Sequence, residues 1–240
     1  MNETKLSIGF TDKQHQKQAE KLAYELNLSI SQDTLPRLQV TPHRLELLQK
    51  GCKPLYVDFN QLKTSSNLKG LKKQGLVQAC KPVSGLSIVD ATAGWGGDAA
   101  ILAFMGAKVT MIERNPIMAA LLKDGLMRIK EGSFIKENLS LQIVEAKKFL
   151  TQLKSDHCPD VIYMDPMHPE RQKSALVKKD MQLLQQLIGE DTDVLELLEI
   201  AVKKARQRVV LKWPQKGQTL LTPGYSFQGK TVRFDVYPIF

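Results

Sequence analysis

Residues 86–115 read LSIVDATAGWGGDAAILAFMGAKVTMIERN, and this stretch decides the fold. A short apolar run ends in Asp90, and a second apolar run ends in Glu113. The segment after the first run is rich in glycine, which permits a tight backbone turn, at Gly94, Gly96 and Gly97. The residues after these glycines can open a helix. The pattern therefore predicts a strand, a turn, a helix and a second strand, which is the order of a nucleotide-cofactor half-site.

The acid at the end of the second strand is a candidate ligand for the ribose of such a cofactor. The Glu113 carboxylate can accept hydrogen bonds from both ribose hydroxyls, and it follows the glycines by about the 20 residues expected of a ribose-binding acid. Gly94, Gly96 and Ala99 also satisfy a loose G-x-G-x-x-A pattern. That pattern keeps a nicotinamide-dependent oxidoreductase open as an alternative.

Strand and helix patterns alternate along the rest of the chain. We predict strands at residues 139–144, 161–164 and 209–211, and helices at residues 116–129, near Phe149 and at residues 193–205. Residues 232–237 alternate apolar and polar side chains after a Pro-Gly turn, which predicts an antiparallel hairpin at the sheet edge. The expected fold class is α/β, with a mostly parallel sheet and helices on both faces.

The first 62 residues carry shorter patterns, which predict a separate small α/β domain. Its expected elements are strands at residues 5–10, 37–40, 45–48 and 55–59 and a helix at residues 13–27. We expect residues 63–85 to form a basic linker and helix, and residues 86–240 to form the cofactor domain. The linker lysines fit either a solvated connector or an arm that contacts phosphate: Lys63, Lys69, Lys72 and Lys73.

Composition narrows the class of protein and its partners. The 240 residues are 42% hydrophobic and 25% charged, which argues against a disordered or fibrous chain. The net charge of +9 favours a polyanionic partner such as nucleic acid. Three cysteines without a C-x-x-C pair argue against a disulfide framework or a structural zinc site, and we expect no metal. Because no signal peptide or membrane-length apolar run is found, we expect a cytoplasmic protein that avoids membranes.

A second motif, Asp165-Pro166-Met167-His168-Pro169, follows the predicted strand VIYM. Parallel sheets bind ligands at the carboxyl ends of their strands. This motif would suit a nucleobase as ligand. The exocyclic amine of a nucleobase is a poor nucleophile, so an enzyme must orient it. The Asp165 carboxylate and the Pro166 carbonyl are hydrogen-bond acceptors that could do so. A sulfonium methyl donor is already activated and needs little further machinery. The alternatives are that Asp165 only caps a turn and that His168, which could contact a base, is incidental.

Basic residues surround this second motif. The segment ERQKSALVKKD places four cations directly after it, at Arg171, Lys173, Lys178 and Lys179. Contact with RNA phosphates is one interpretation, and a solvated charged loop is the other. Lys212, at the end of the strand VVLKW, could likewise meet RNA phosphate or extend to solvent.

These motifs carry a family resemblance. DATAGWGGDAAILAFMGAKVTMIERNPIMAALLKDGL, YMDPMHPERQKSALVKKDM and LKWP resemble the ribosomal RNA small subunit methyltransferase J family, and the similarity runs from about residue 37 to the C-terminus. The resemblance implies a Rossmann-like methyltransferase fold in the region 86–240. It also implies methyl transfer from S-adenosylmethionine to the N2 amine of one guanine in 16S rRNA, in the bacterial cytoplasm.

The resemblance also implies site residues. The cofactor positions are Gly97 and Asp98, Glu113 and Arg114, Lys147 and Lys148, and Asp165; with Asp90, Gly94 and Gly96 they form the expected cofactor site. The expected catalytic residues are Asp165, Pro166 and His168. The chain departs from the family pattern at Gly97, at the two lysines and at His168, where arginine, small hydroxyl residues and phenylalanine are common. A non-catalytic RNA-binding assembly factor therefore stays open as a third hypothesis.

Overall fold

The computed structural model describes residues 6–61, 68–167 and 193–240, with the side chains of residues 68 and 69 excepted. Its strands are β1 Ser7–Phe10, β2 Ser29–Ile30, β3 Arg37–Val40, β4 Leu45–Leu48, β5 Ser87–Asp90, β6 Lys108–Glu113, β7 Leu139–Ile143, β8 Val161–Met164, β9 Arg208–Pro214, β10 Tyr225–Gln228 and β11 Val232–Pro238. The described helices are α1 Gln16–Leu26, α2 Leu68–Lys72, α3 Gly75–Cys80, α4 Gly97–Phe104, α5 Pro116–Met127, α6 Phe134–Asn138, α7 Ala146–Gln152 and α8 Val194–Lys204.

The larger sheet has seven strands in the order β10-β11-β9-β8-β5-β6-β7. The five strands from β9 to β7 run parallel, and β11 and β10 join them as an antiparallel hairpin at one edge. This arrangement confirms the expected mostly parallel α/β fold and the C-terminal hairpin.

The smaller sheet has four strands in the order β2-β1-β3-β4. Strand β1 lies parallel to β2 and β3, and β4 lies antiparallel to β3. Helix α1 buries Ala19 and Ala23 and ends at Asn27, which adopts a left-handed conformation. The predicted N-terminal α/β arrangement is therefore present, and the domain boundary at residue 62 stays a prediction.

The predicted strand at residues 55–59 is wrong. Only Leu55 pairs there, as an isolated bridge to Leu47, and a 3-10 helix begins at Phe59. Val57 and Phe59 are buried beside Gly125 of α5, where a Cβ atom would lie 2.5 Å from Val57 and 3.2 Å from Phe59. The apolar alternation in this segment therefore reflects packing against a helix and not sheet pairing.

Two hydrophobic clusters lie on the two faces of the larger sheet. One includes Ile8 and Leu38 of the small sheet together with Met111 and Leu121, so both sheets share it. The other packs α7 and α8 against the sheet and includes Leu198. Both faces of the larger sheet are thus covered, as expected for parallel strands buried on both sides.

No helix in the described ranges has both the length and the apolar character needed to cross a membrane.

Candidate active site

The carboxyl ends of β5, β6, β8 and β9 surround a cleft of about 280 Å³. This is the edge at which open parallel sheets bind their ligands. Most of the residues singled out in the sequence line it, namely Asp90, Gly94, Gly97, Asp98, Glu113, Arg114, Asp165, Pro166 and Lys212. The structure therefore brings together the glycine motif and the Asp165-Pro166 motif, although Gly94 and Asp165 lie 71 positions apart in the chain.

The glycines between β5 and α4 have different roles. Gly94 and Gly96 have positive φ angles of 51° and 72°, which residues other than glycine rarely adopt. A Cβ on Gly96 would lie about 3 Å from Leu122, Met111 and Phe59, and Gly96 is not among the described residues that line the cleft. Gly96 therefore supports the turn from behind, whereas Gly94 and Gly97 border the cleft directly.

Glu113 fits the predicted ribose ligand. Its carboxylate is buried at the end of β6 and accepts hydrogen bonds from the backbone N–H groups of Gly94, at 3.2 Å, and Asn115, at 2.7 Å. These bonds fix the orientation of the carboxylate beside the glycine turn. An ionised carboxylate has about four lone-pair positions, which suits the paired hydroxyls of a ribose. Open space beside Gly97, where a Cβ would meet no heavy atom within 4 Å, is also compatible with a nucleoside cofactor.

On the other side of the cleft, Lys212 bridges two carboxylates. Its Nζ lies 2.9 Å from Oδ2 of Asp98 and 2.8 Å from Oδ2 of Asp165. The Tyr163 hydroxyl donates a hydrogen bond of 2.5 Å to the same oxygen of Asp98. Burial disfavours the charged form of Lys212, but the two carboxylates outweigh it and raise the pKa of the lysine above its usual value. Lys212 is therefore a cation held inside the cleft by two carboxylates, and its contact with RNA phosphate stays a prediction.

Two further titratable groups lie at the base of this cluster. Asp90 is 1% exposed, and burial raises its pKa to about 8, with Asp98 and Asp165 adding to the shift and Lys212 opposing it. Burial and the neighbouring Asp98 also raise the pKa of Tyr163 well above its usual value. Near neutral pH, Asp90 and Tyr163 are therefore predominantly protonated, and Tyr163 donates a hydrogen bond to Asp98.

The loop after β8 is tied to the loop after β5 through the backbone. The Asp165 N–H donates to Oγ1 of Thr92 at 2.6 Å, and Pro166 and Met167 continue along the wall of the cleft. His168 and the proposed phosphate ligands lie outside the described residues, namely Arg171, Lys173, Lys178 and Lys179. Their roles stay predictions.

The structure gives Lys147 and Lys148 a different setting from the expected cofactor contact. The Glu145 side chain caps α7 by accepting hydrogen bonds from both of their backbone N–H groups. The Lys147 ammonium lies 2.7 Å from Asp193 and 2.8 Å from Glu196, and these carboxylates raise its pKa. Among the described residues, the cleft is lined here by Glu145 and its neighbours and not by the two lysines. The sequence reasoning missed Glu145 as a cleft residue. Its signal in the sequence is an acid between a strand and a helix.

No group of three or more histidine, cysteine, aspartate or glutamate side chains in the described part of the chain could hold a metal ion.

Comparisons with known proteins assign the family. Residues 21–239 match the family model described as "Putative SAM-dependent methyltransferase". A Legionella pneumophila protein named ribosomal RNA small subunit methyltransferase J is 50% identical over 237 residues, which cover 99% of this chain and 97% of the relative. A Coxiella burnetii protein of the same name is 43% identical over 254 aligned residues, covering 99% and 98%.

A solved structure supports the same assignment. The SAM-dependent methyltransferase from Neisseria gonorrhoeae superposes with a TM-score of 0.71 at 27% identity, over 98% of this chain and 96% of that one. The comparisons decide in favour of S-adenosylmethionine over the nicotinamide cofactor, and in favour of an enzyme over a non-catalytic binding protein. The chain is an S-adenosylmethionine-dependent methyltransferase of Rossmann-like fold and belongs to the ribosomal RNA small subunit methyltransferase J family.

Proposed function

We propose that this enzyme methylates the N2 amine of a guanine in 16S rRNA of the small ribosomal subunit. The observation that carries the proposal is the position of Asp165 and Pro166, which line the same cleft as the glycine turn and Glu113. The name shared by the relatives from Legionella and Coxiella supports ribosomal RNA as the substrate class.

The acceptor side of the cleft suits an exocyclic amine. The lone pair of such an amine is delocalised into the base, so the amine must be oriented before it can react. The Asp165 carboxylate and the Pro166 carbonyl can accept hydrogen bonds from its two N–H groups, and proline has no N–H of its own to compete with them. The Asp165 carboxylate can also accept the proton that the amine loses. Positioning of this kind can account for a large part of a rate enhancement.

On the donor side, the residues of the protein need only bind and orient the cofactor. S-adenosylmethionine supplies a methyl group that its sulfonium has already activated. We assign Glu113 to the ribose hydroxyls and the backbone at Gly94 and Gly97 to close approach by the cofactor. Asp98, in the first turn of α4, lines the cleft beside them.

The assignment of RNA as the substrate rests on the charge of the protein. The formal charge of +9 suits a polyanion, and the basic segment after Asp165 would contact phosphates next to the target. A guanine inside a duplex cannot reach the cleft, so we infer that the target is unpaired or extruded from its stack. Since ribosomal RNA is the proposed substrate, we infer that the enzyme acts in the cytoplasm.

The proposal is tested by the modified nucleosides of 16S rRNA in a strain that lacks the protein. Mass spectrometry of the digested rRNA should show the loss of N2-methylguanosine at one site. Wild-type protein should restore that nucleoside, as should the control Asp33→Asn, whose change lies at an exposed loop position of the small domain. Asp165→Asn should not restore it. An unchanged N2-methylguanosine content in the deletion strain would refute the substrate assignment.

A further inference from the structure

Lys212 has no role in the transfer as proposed so far, yet it occupies a central position in the cleft. Strand register explains how it gets there. Met164 of β8 pairs with Leu211 of β9, so the next residues, Asp165 and Lys212, emerge side by side at the carboxyl edge of the sheet. The Lys212 side chain is 20% exposed and turns inward to its two carboxylate partners.

This geometry argues against a contact between Lys212 and RNA phosphate. A phosphate would have to displace either Asp98 at 2.9 Å or Asp165 at 2.8 Å. Both carboxylates are mostly buried, with 28% and 20% of their side chains exposed, and leaving either one without its cation would cost free energy. Partial burial strengthens the Coulomb attraction within this ion pair, unlike that within exposed lysine pairs, which contribute little.

Each of the two aspartates is anchored by a second contact. Asp98 also accepts the hydroxyl of Tyr163, which is fully buried in β8. The backbone of Asp165 donates to Thr92, in the loop that leads into the glycine turn. Lys212 therefore completes a connection between the first turn of α4 on the donor side and the β8 loop on the acceptor side. Without its ammonium, two like charges would face each other across the cleft.

We propose that Lys212 is a positioning residue that holds the Asp165 carboxylate at a fixed angle to the donor side by bridging it to Asp98. The inference rests on the proposed function, because the group that Asp165 orients is the guanine amine. Lys212 contacts neither the base nor the phosphate in this scheme. It acts through Asp165, and its loss should lower the rate of the chemical step and leave RNA binding intact.

The kinetic test compares Lys212→Met with wild-type enzyme on small subunits from the deletion strain. We expect kcat to fall about 100-fold, the size of effect that a small misplacement of a reacting group can have, and KM for the subunit to change less than about threefold. Lys212→Arg keeps the charge and should recover kcat to within about tenfold of wild type. The matched control is Lys203→Met, which removes an exposed lysine from α8 and should change neither constant.

Opposite results would overturn the inference. A raised KM with unchanged kcat in Lys212→Met would show that the lysine contacts RNA. Wild-type kinetics in Lys212→Met would show that it has no role. If Lys212→Met does not fold, Lys212→Gln retains a hydrogen-bond donor without the charge, and the same split between kcat and KM applies to it.

A second measurement does not depend on the RNA substrate. The ammonium of a lysine held by two carboxylates exchanges its protons slowly enough for nitrogen-15 NMR, and Lys212→Arg assigns the signal by its loss. Asp98→Asn and Asp165→Asn should each shift or broaden that signal, whereas Asp33→Asn should leave it unchanged. A signal that neither of the first two variants affects would disprove the bridge. If the bridge is present and wild-type enzyme methylates no guanine, the proposed function fails and the bridge stands.

Discussion

The two sides of the cleft are built in different ways. The donor side, from β5 to β6, is formed by backbone conformation: glycines at positive φ and a glutamate that accepts two backbone N–H groups. The acceptor side, from β8 to β9, is held by side-chain charges, because Lys212 joins Asp165 on this side to Asp98 on the donor side. A backbone-built region depends on local sequence, whereas a charge-built region depends on which strands become neighbours. The two sides should therefore respond differently to substitution.

The largest effect on stability is expected at the donor turn. Gly96→Ala combines a left-handed backbone with a Cβ about 3 Å from three buried side chains. We expect the free energy of unfolding in urea to fall by about 3 kcal/mol, with weaker S-adenosylmethionine binding in calorimetry. Gly94→Ala is the matched comparison, because its Cβ would make only an ordinary contact of 3.9 Å with the Thr92 carbonyl oxygen, and it should cost about 1 kcal/mol. Equal losses in the two variants would contradict the supporting role of Gly96.

The next largest effect is expected in the pH dependence of stability, and it comes from Asp90, which is buried below the cluster of charged side chains. The folded protein holds the Asp90 proton up to about pH 8, whereas an unfolded chain releases it near 3.8. The folded state therefore binds more protons between these values, and the stabilisation from Asp90 is lost as pH rises through this window. Relative to wild type, Asp90→Asn should gain of the order of 2 kcal/mol in unfolding free energy between pH 6 and pH 8. A constant difference between the two proteins over that range would show that Asp90 ionises normally.

A smaller effect is expected for the ribose ligand. Glu113→Gln keeps the shape of the side chain but removes its charge, and it turns one of the two acceptor oxygens into an NH2 donor that faces the N–H of Gly94 or Asn115. Charge-assisted hydrogen bonds are roughly twice as strong as neutral ones, so the Kd for S-adenosylmethionine should rise about tenfold. Calorimetry measures this directly, and an unchanged Kd would exclude Glu113 from the cofactor site.

The smallest effect is expected at Lys147. Its ammonium pairs with Asp193 and Glu196, and it does not line the described cleft. Lys147→Met should therefore change the Kd for S-adenosylmethionine by less than about twofold, because its ammonium is directed to these two carboxylates and not into the cleft. A tenfold loss of affinity would restore the cofactor role that the family resemblance implies for this position.

The sequence predicted the parts of the molecule that depend on local pattern. Apolar runs and turns identified β5 to β9 and the C-terminal hairpin, because most of their apolar side chains pack into the two clusters on the faces of the sheet. The same logic was wrong at residues 55–59, where Val57 fills space beside Gly125 of a distant helix. No local sequence pattern indicates that Gly125, 68 positions further along the chain, leaves space for the Val57 side chain.

The candidate site divides in the same way. The glycine turn and the acid at the end of β6 lie within one stretch of 30 residues, and both were predicted to belong to the site. The contact between Asp98 and Lys212 spans 114 positions and requires knowing that β8 and β9 are neighbours. The sequence accordingly suggested RNA phosphate or solvent for Lys212, because a lysine at a strand end carries no sign of its carboxylate partners.

Methyl transfer to isolated small subunits tests the proposed reaction most directly. Subunits from cells that lack the protein are incubated with methyl-labelled S-adenosylmethionine and purified enzyme, and the rRNA is digested for nucleoside analysis. Wild-type enzyme should place the label in N2-methylguanosine, and Asp165→Asn should place at least about 100-fold less there while still binding the donor. Label in a different nucleoside, or equal transfer by both proteins, would contradict the assignment of Asp165 to a guanine amine.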